Sequence, residues 1–233
     1  MLADLDCVAF DFDGTLTAYV QADLSALEQL RQWSCPQVAA PDFADRAVQE
    51  IMAFHDRVAA GRSAPPDMDA ERLSRTLAAY GVRCTEAHLG VYRAALIGAS
   101  VPMPGAVHLL SAIKQRGLKL ALLSNTCDGL FQRQRLAHCF PDRPFDVVLM
   151  AGELGVFKPD PRAFQALAEA LRVAPGRGLS VGDLPAYDVP GAVAAGWHAA
   201  LVSPSARQRD RAAQLGAVLV ASDLNELHAR LLA

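Results

Sequence analysis

From Val101 onward the chain repeats one pattern: a short apolar run, one or two polar residues, then a stretch with helical spacing. Leu118–Leu123 ends in Ser124-Asn125-Thr126, and Val147–Met150 precedes a helical stretch over Pro161–Arg172. Leu179–Val181 ends in Gly182-Asp183, Ala199–Val202 follows a stretch closed by Gly196, and Val218–Val220 leads into a last helix from Asp223. Pro104-Gly105 opens the first helix of the series and Gly117 closes it. Uninterrupted apolar strands alternating with single helices predict right-handed crossovers. The fold class that follows is α/β, a doubly wound, mostly parallel sheet with both faces covered.

One strand of the same kind stands far upstream. Cys7-Val8-Ala9-Phe10 is an unbroken apolar run, followed directly by Asp11-Phe12-Asp13-Gly14-Thr15-Leu16-Thr17. Between them and Val101 the pattern is helical throughout. Leu24, Leu27 and Leu30 fall at helical spacing in Asp23–Trp33, with Asp23 as the expected cap. Phe43, Ala47, Ile51, Phe54 and Val58 form one stripe of a helix from Asp42 to about Ala60, which Gly61–Pro66 stops. Asp69–Tyr80 and Thr85–Ile97 are two more helices, separated by Gly81 at a C-terminal cap. The expected organisation is a core of residues 1–17 and 101–233, with an all-α insertion over 18–100. Linkers are expected at Thr17–Ala22 and Ala99–Pro104.

At 233 residues the chain can bury a sizeable core, and 52% hydrophobic with 20% charged residues suits a folded globule. A net charge of -3 offers no general attraction for nucleic acid or an anionic membrane, so neither is expected as a partner. Asp4 and Asp6 stand where a signal peptide would carry positive charge, and no apolar run approaches the roughly 18 to 20 residues of a membrane span. Five widely spaced cysteines without a Cys-x-x-Cys suggest neither a disulfide framework nor a zinc site, so a cytoplasmic location is expected. Oligomeric state is not legible.

Polar signals fall at four strand or loop ends: Asp11 with Asp13, Ser124 with Asn125, Lys158, and Asp183 with Asp188. Side chains two apart on an extended strand share a face, so Asp11 and Asp13 are expected to point into one space with Phe12 turned inward. Adjacent carboxylates need a cation, a shared proton or a hydrogen-bond net. Taken singly, each signal has a plain structural explanation. Asp-Gly marks a turn, Ser124 could cap the next helix, Lys158 could be a solvated loop charge, and Asp188 could cap the helix at Val189-Pro190-Gly191. Together they point to one place, because strand C-termini of such a sheet converge on one crevice.

Asp11-Phe12-Asp13-Gly14-Thr15, the apolar strand ending in Ser124-Asn125, Phe157-Lys158-Pro159-Asp160-Pro161, and Gly182-Asp183-x-x-x-x-Asp188 resemble the four ordered motifs of the haloacid dehalogenase (HAD) superfamily. The resemblance spans nearly the whole chain. The insertion after the first motif is similar to that superfamily's helical cap, expected to move as a lid.

This resemblance implies a phosphoryl-transfer site. Asp11 would be the nucleophile, forming an aspartyl-phosphate, and Asp13 the acid that protonates the leaving alkoxide and then activates water. Ser124, Asn125, Lys158 and Gly14 are the implied phosphate-binding set, with Ser124 and Lys158 also counted as catalytic. Mg²⁺ is the implied cofactor, with Asp11, Asp13, Asp183 and Asp188 as metal residues: Asp11 and Asp183 through carboxylates, Asp13 through its carbonyl, and Asp188 behind a metal-bound water or Lys158.

Residue differences separate the superfamily's branches. The dehalogenases lack the second aspartate of the first motif, which is present here as Asp13. Phosphonatases use a cap lysine, whereas the lysines of this chain are Lys114, Lys119 and Lys158, none in the insertion. β-Phosphoglucomutase carries a charged Lys-Gly-x-Ser-Arg type signature in its cap, and the corresponding Ser34–Pro41 stretch is uncharged. The expectation is therefore a phosphatase of a small organic phosphate, with a phosphosugar mutase as the alternative. A phosphorylated receiver module or a catalytically silent binding protein stands as the reading of another class. Within the insertion His55, Arg57, Arg62, Arg72, Arg75, Arg83 and Arg93 are read mostly as solvated helix faces.

Overall fold

The computed structural model describes residues 4–59, 68–174 and 176–232. The side chains of His55, Arg57 and Val58, together with Arg62 and the expected helix stop at 61–66, lie outside the described residues.

Among the described residues, six strands form one parallel sheet: β1 (Cys7–Phe10), β2 (Lys119–Ser124), β3 (Val147–Met150), β4 (Gly178–Gly182), β5 (His198–Val202) and β6 (Leu219–Ala221), in the order β3-β2-β1-β4-β5-β6. Their apolar runs read without alternation because both faces are covered, and β1 and β4 are buried at every position. The chain fills one side of β1 with β2 and β3, then returns to its other side with β4. This reversal beside β1 is the switch point at which open α/β sheets place ligands.

The register delivers the polar residues together. Phe10 lies opposite Leu122 of β2 and Val181 of β4. The Asp11 N–H extends the pairing to the Val181 carbonyl at 2.9 Å. Asp11–Phe12 therefore emerges level with Leu123–Ser124 on one side and Gly182–Asp183 on the other.

The helices, in chain order, are α1 (Tyr19–Ser34), α2 (Ala40–Ala59), α3 (Met68–Ala78), α4 (Glu86–Ala99), α5 (Ala106–Gln115), α6 (Gly129–Cys139), α7 (Ala151–Leu154), α8 (Pro161–Leu171), α9 (Pro185–Asp188), α10 (Pro190–Ala194), α11 (Ala206–Gln214) and α12 (Leu224–Leu231). Local signals set many of their ends. Asp160 caps α8 by accepting from the Arg162 N–H, with Pro161 in the first turn, and Asp223 caps α12 by accepting from Asn225 and Glu226.

The chain divides into two compact units: residues 1–18, 102–129 and 139–233, and residues 19–101 with 130–138. Most of α6 thus groups with the helical unit, although it follows a sheet strand in sequence. In the sheet unit Phe164, Leu167, Trp197, Ala199 and Leu201 are among the buried core. In the helical unit Leu27, Leu30, Phe43, Leu73, Leu77, Tyr92 and Phe131 pack together.

The first helix differs from its local signals. It begins at Tyr19 rather than at Asp23, so the expected first linker shrinks. Asp23 is not a cap but a buried side chain on the inner face, while Leu24 turns outward. Asp23 meets Arg72 in a paired ion contact, and Arg72 is fully buried rather than part of a solvated face. Arg72 also donates through Nε to the Ala47 carbonyl at 3.2 Å, and the Tyr92 hydroxyl donates to Asp23 at 2.5 Å. One polar cluster joins α1, α2, α3 and α4.

Candidate active site

The segment after β1 is a turn folded onto itself. Leu16 and Thr17 donate backbone N–H groups to the Phe12 carbonyl at 2.9 and 3.1 Å, and Gly14 donates to the Thr17 carbonyl at 3.1 Å. Phe12 is buried, which turns the residues on either side of it outward. The Thr17 hydroxyl lies 3.3 Å from Asp13 Oδ1 and the Thr15 hydroxyl 3.4 Å from Asp11 Oδ2. Each carboxylate thus has a hydroxyl four residues on.

Thr15 does more than close the turn. Its hydroxyl also lies 3.2 Å from Asp183 Oδ1, so one buried hydroxyl stands between the carboxylates of β1 and β4. Gly14 supplies the space for this. Its φ is +86°, and a Cβ there would fall 2.4 Å from Asp183 Oδ2. The Gly14 N–H donates to the Thr17 carbonyl, and the missing side chain leaves the space that Asp183 occupies.

Lys158 comes from the loop between α7 and α8 and is 4% exposed, which corrects the solvated-loop alternative. Its Nζ lies 2.7 Å from Asp11 Oδ1 and 2.6 Å from Asp188 Oδ1. The other Asp188 oxygen accepts from the Leu184 N–H at 3.0 Å. Asp188 is the last residue of α9, and Val189 is the cap of α10, so the capping alternative for Asp188 also fails. Gly182 permits this packing, because a Cβ there would sit 2.0 Å from Asp188 Cγ. Ser124 ends β2 opposite Met150, buried and well before α6 begins. The Asn125 side chain turns to the Lys158 backbone, an arrangement the sequence did not suggest.

Three carboxylates around one ammonium leave an excess of negative charge. Burial pushes Asp11 up to about 7 against the pull of Lys158, with Asp188 and Asp13 adding repulsion. Burial likewise pushes Asp183 up to about 8, with Asp11 and Asp188 raising it further. Burial works against the charge of Lys158, yet Asp11 and Asp188 outweigh it and hold the ammonium above the ordinary lysine range.

Among the described residues no three or more His, Cys, Asp or Glu side chains gather as a ligand group. Asp188 is engaged with Lys158 and Leu184, and Asp13 with Thr17. Asp11 and Asp183 are two partly buried carboxylates that share the Thr15 hydroxyl. An all-oxygen set with unbalanced negative charge suits a hard divalent cation that keeps several waters.

Residues 5–196 match the family model for haloacid dehalogenase-like hydrolases, and the chain belongs to that family. Among curated relatives, it is 42% identical over 107 residues to a phosphoserine phosphatase of Thermus thermophilus, covering 46% of this chain and 43% of that protein. It is 35% identical over 169 residues to a phosphoglycolate phosphatase of Rhodospirillum rubrum, covering 66% of this chain and 68% of that one. The chain thus spans under half the length of the Thermus relative. Among solved structures, the putative HAD-hydrolase YfnB from Bacillus subtilis, described as bound to magnesium, superposes with a TM-score of 0.82 at 21% identity, over 98% of this chain and 99% of that one. L-2-haloacid dehalogenase from Xanthobacter autotrophicus gives 0.74 at 23% identity, over 98% of both. At these identities the two structures establish the fold.

Proposed function

We propose that the chain is a Mg²⁺-dependent phosphomonoester hydrolase acting on a small phosphorylated metabolite through an aspartyl-phosphate. The observation that carries this reading is Asp11 at the end of β1, one oxygen 2.7 Å from Lys158 Nζ and the other beside Thr15, with Asp13 two residues further along the same turn. The phosphatases among the relatives support it, and so does Asp13 as the acid that ester cleavage needs and a haloacid does not.

The ammonium of Lys158 opposes the burial that raises Asp11, favouring its ionised form, and offsets the charge that builds on a phosphoryl group arriving at it. Asp11 attacks phosphorus in line with the leaving oxygen, and Asp13 delivers a proton to that oxygen. Asp13, now ionised, takes a proton from water, which attacks the aspartyl-phosphate and frees Asp11. The Ser124 hydroxyl and the Asn125 backbone N–H donate to phosphoryl oxygens. Mg²⁺ held by Asp11, Asp183 and the Asp13 carbonyl would supply positive charge to the phosphoryl oxygens and to the paired carboxylates.

The relatives' names make phosphoglycolate and phosphoserine the first substrates to test, with p-nitrophenyl phosphate as a generic ester. Hydrolysis should require added Mg²⁺, stop with EDTA, and fall at least about 10⁴-fold in Asp11→Asn. No turnover of any ester in a broad panel, or full turnover in EDTA, would overturn the reading.

A further inference from the structure

Lys158 lies in a loop, where no ladder of helix or strand bonds dictates its backbone, yet its Nζ must reach Asp11 and Asp188 at once. The Asn125 side chain closes on it from the end of β2. Asn125 Nδ2 donates to the Lys158 carbonyl at 2.8 Å, and Asn125 Oδ1 accepts from the Lys158 N–H at 2.8 Å. A primary amide offers a donor and an acceptor side by side, so it pairs with one residue's N–H and C=O much as a neighbouring strand would. That pairing fixes the Lys158 Cα and the direction in which its side chain leaves. The loop is seated from a second side as well, because a Cβ at Gly191 would lie 2.2 Å from the Pro159 carbonyl oxygen.

We infer that Asn125 is a positioning residue whose side chain acts through Lys158, holding the ammonium between Asp11 and Asp188, rather than on the substrate. The inference rests on the phosphatase reading for its kinetic consequence, not for its geometry. Without the amide, the Lys158 N–H and C=O must find other partners and the loop shifts. A displacement of about 1 Å at a charge that faces the reacting group costs on the order of 10²-fold in rate.

The test is a double-mutant cycle with p-nitrophenyl phosphate at saturating MgCl₂, using Asn125→Ala, Lys158→Met and the pair. Asn125→Ala should lower kcat by about 10²-fold with KM changed less than about 3-fold, and should change kcat less than about 3-fold when Lys158 is already Met. A loss of the same size in both backgrounds, or one confined to KM, means that Asn125 touches substrate and overturns the inference. If Asn125→Ala does not fold, Asn125→Asp enters the cycle with the same expected result, since it keeps the shape but sets an acceptor against the Lys158 carbonyl. A second readout needs no turnover. With Lys114, Lys119 and Lys158 as the lysines of the chain, ¹⁵N-lysine spectra can resolve the buried ammonium of Lys158. That signal should shift and exchange faster in Asn125→Ala. An unchanged signal overturns the inference even if no ester is hydrolysed, whereas an inactive wild type with the shifted signal defeats only the phosphatase reading.

Discussion

Arg72 and Asp23 face one another as a two-pronged pair inside the helical unit, with guanidinium-to-carboxylate distances of 2.9 and 2.8 Å. Arg72 has no exposed surface and Asp23 is 8% exposed. Removing one partner strands the other as a buried charge, which typically costs about 3–5 kcal/mol. Asp23→Ala and Arg72→Ala should each lower the unfolding free energy measured in urea by that order. A change under about 1 kcal/mol in either would show that water reaches the pair.

Asp13→Asn should separate leaving groups. An alkoxide needs a proton to depart and p-nitrophenolate needs little help, so the loss in kcat/KM should be at least about 10-fold larger on an alkyl phosphate than on the nitrophenyl ester. Equal losses on the two would remove Asp13 from the acid role.

Gly182→Ala tests the seat of Asp188. A Cβ 2.0 Å from Asp188 Cγ forces that carboxylate away from Lys158. The variant should lose about 1–3 kcal/mol of stability from overpacking and about 10²-fold or more in kcat. Wild-type kinetics in a folded Gly182→Ala protein would show that Asp188 does not steer Lys158.

The raised carboxylates set a direction for pH dependence in the metal-free protein. Asp11 at about 7 and Asp183 at about 8 bind protons in the folded state that the unfolded chain, with ordinary carboxylates, has already released. Stability therefore falls as pH rises through these values, opposite to the usual salt-bridged aspartate. Tm in EDTA should be lower at pH 8.5 than at pH 5.5, MgCl₂ should narrow the gap, and Asp183→Asn should flatten the EDTA slope. A Tm that climbs with pH in EDTA, or a slope untouched by Asp183→Asn, would contradict the assignment.

The sequence by itself determined the α/β alternation, the strands that carry Asp11, Ser124 and Asp183, and the loop that carries Lys158. These are local properties: short unbroken apolar runs mark buried strands, glycines and prolines mark their ends, and polar residues at strand C-termini of a parallel sheet face one crevice at its switch point. The helix starts near Pro161 and Asp223 were legible for the same reason, and the structure shows Asp160 and Asp223 capping them.

Only the tertiary structure decided what each polar group touches. Asp23 carries the local mark of a cap, yet α1 starts at Tyr19 and the carboxylate turns to Arg72 on α3. Thr15 looks like an ordinary turn residue until β4 sets Asp183 against its hydroxyl. Asn125 reads as an anion-site neighbour, but its amide is taken by Lys158, 33 residues away. Residues 130–138 follow a sheet strand yet pack with the helical unit. In each case the partner is distant in sequence, and a buried polar group takes whichever donor or acceptor the packed chain brings within about 3 Å, which no local period encodes.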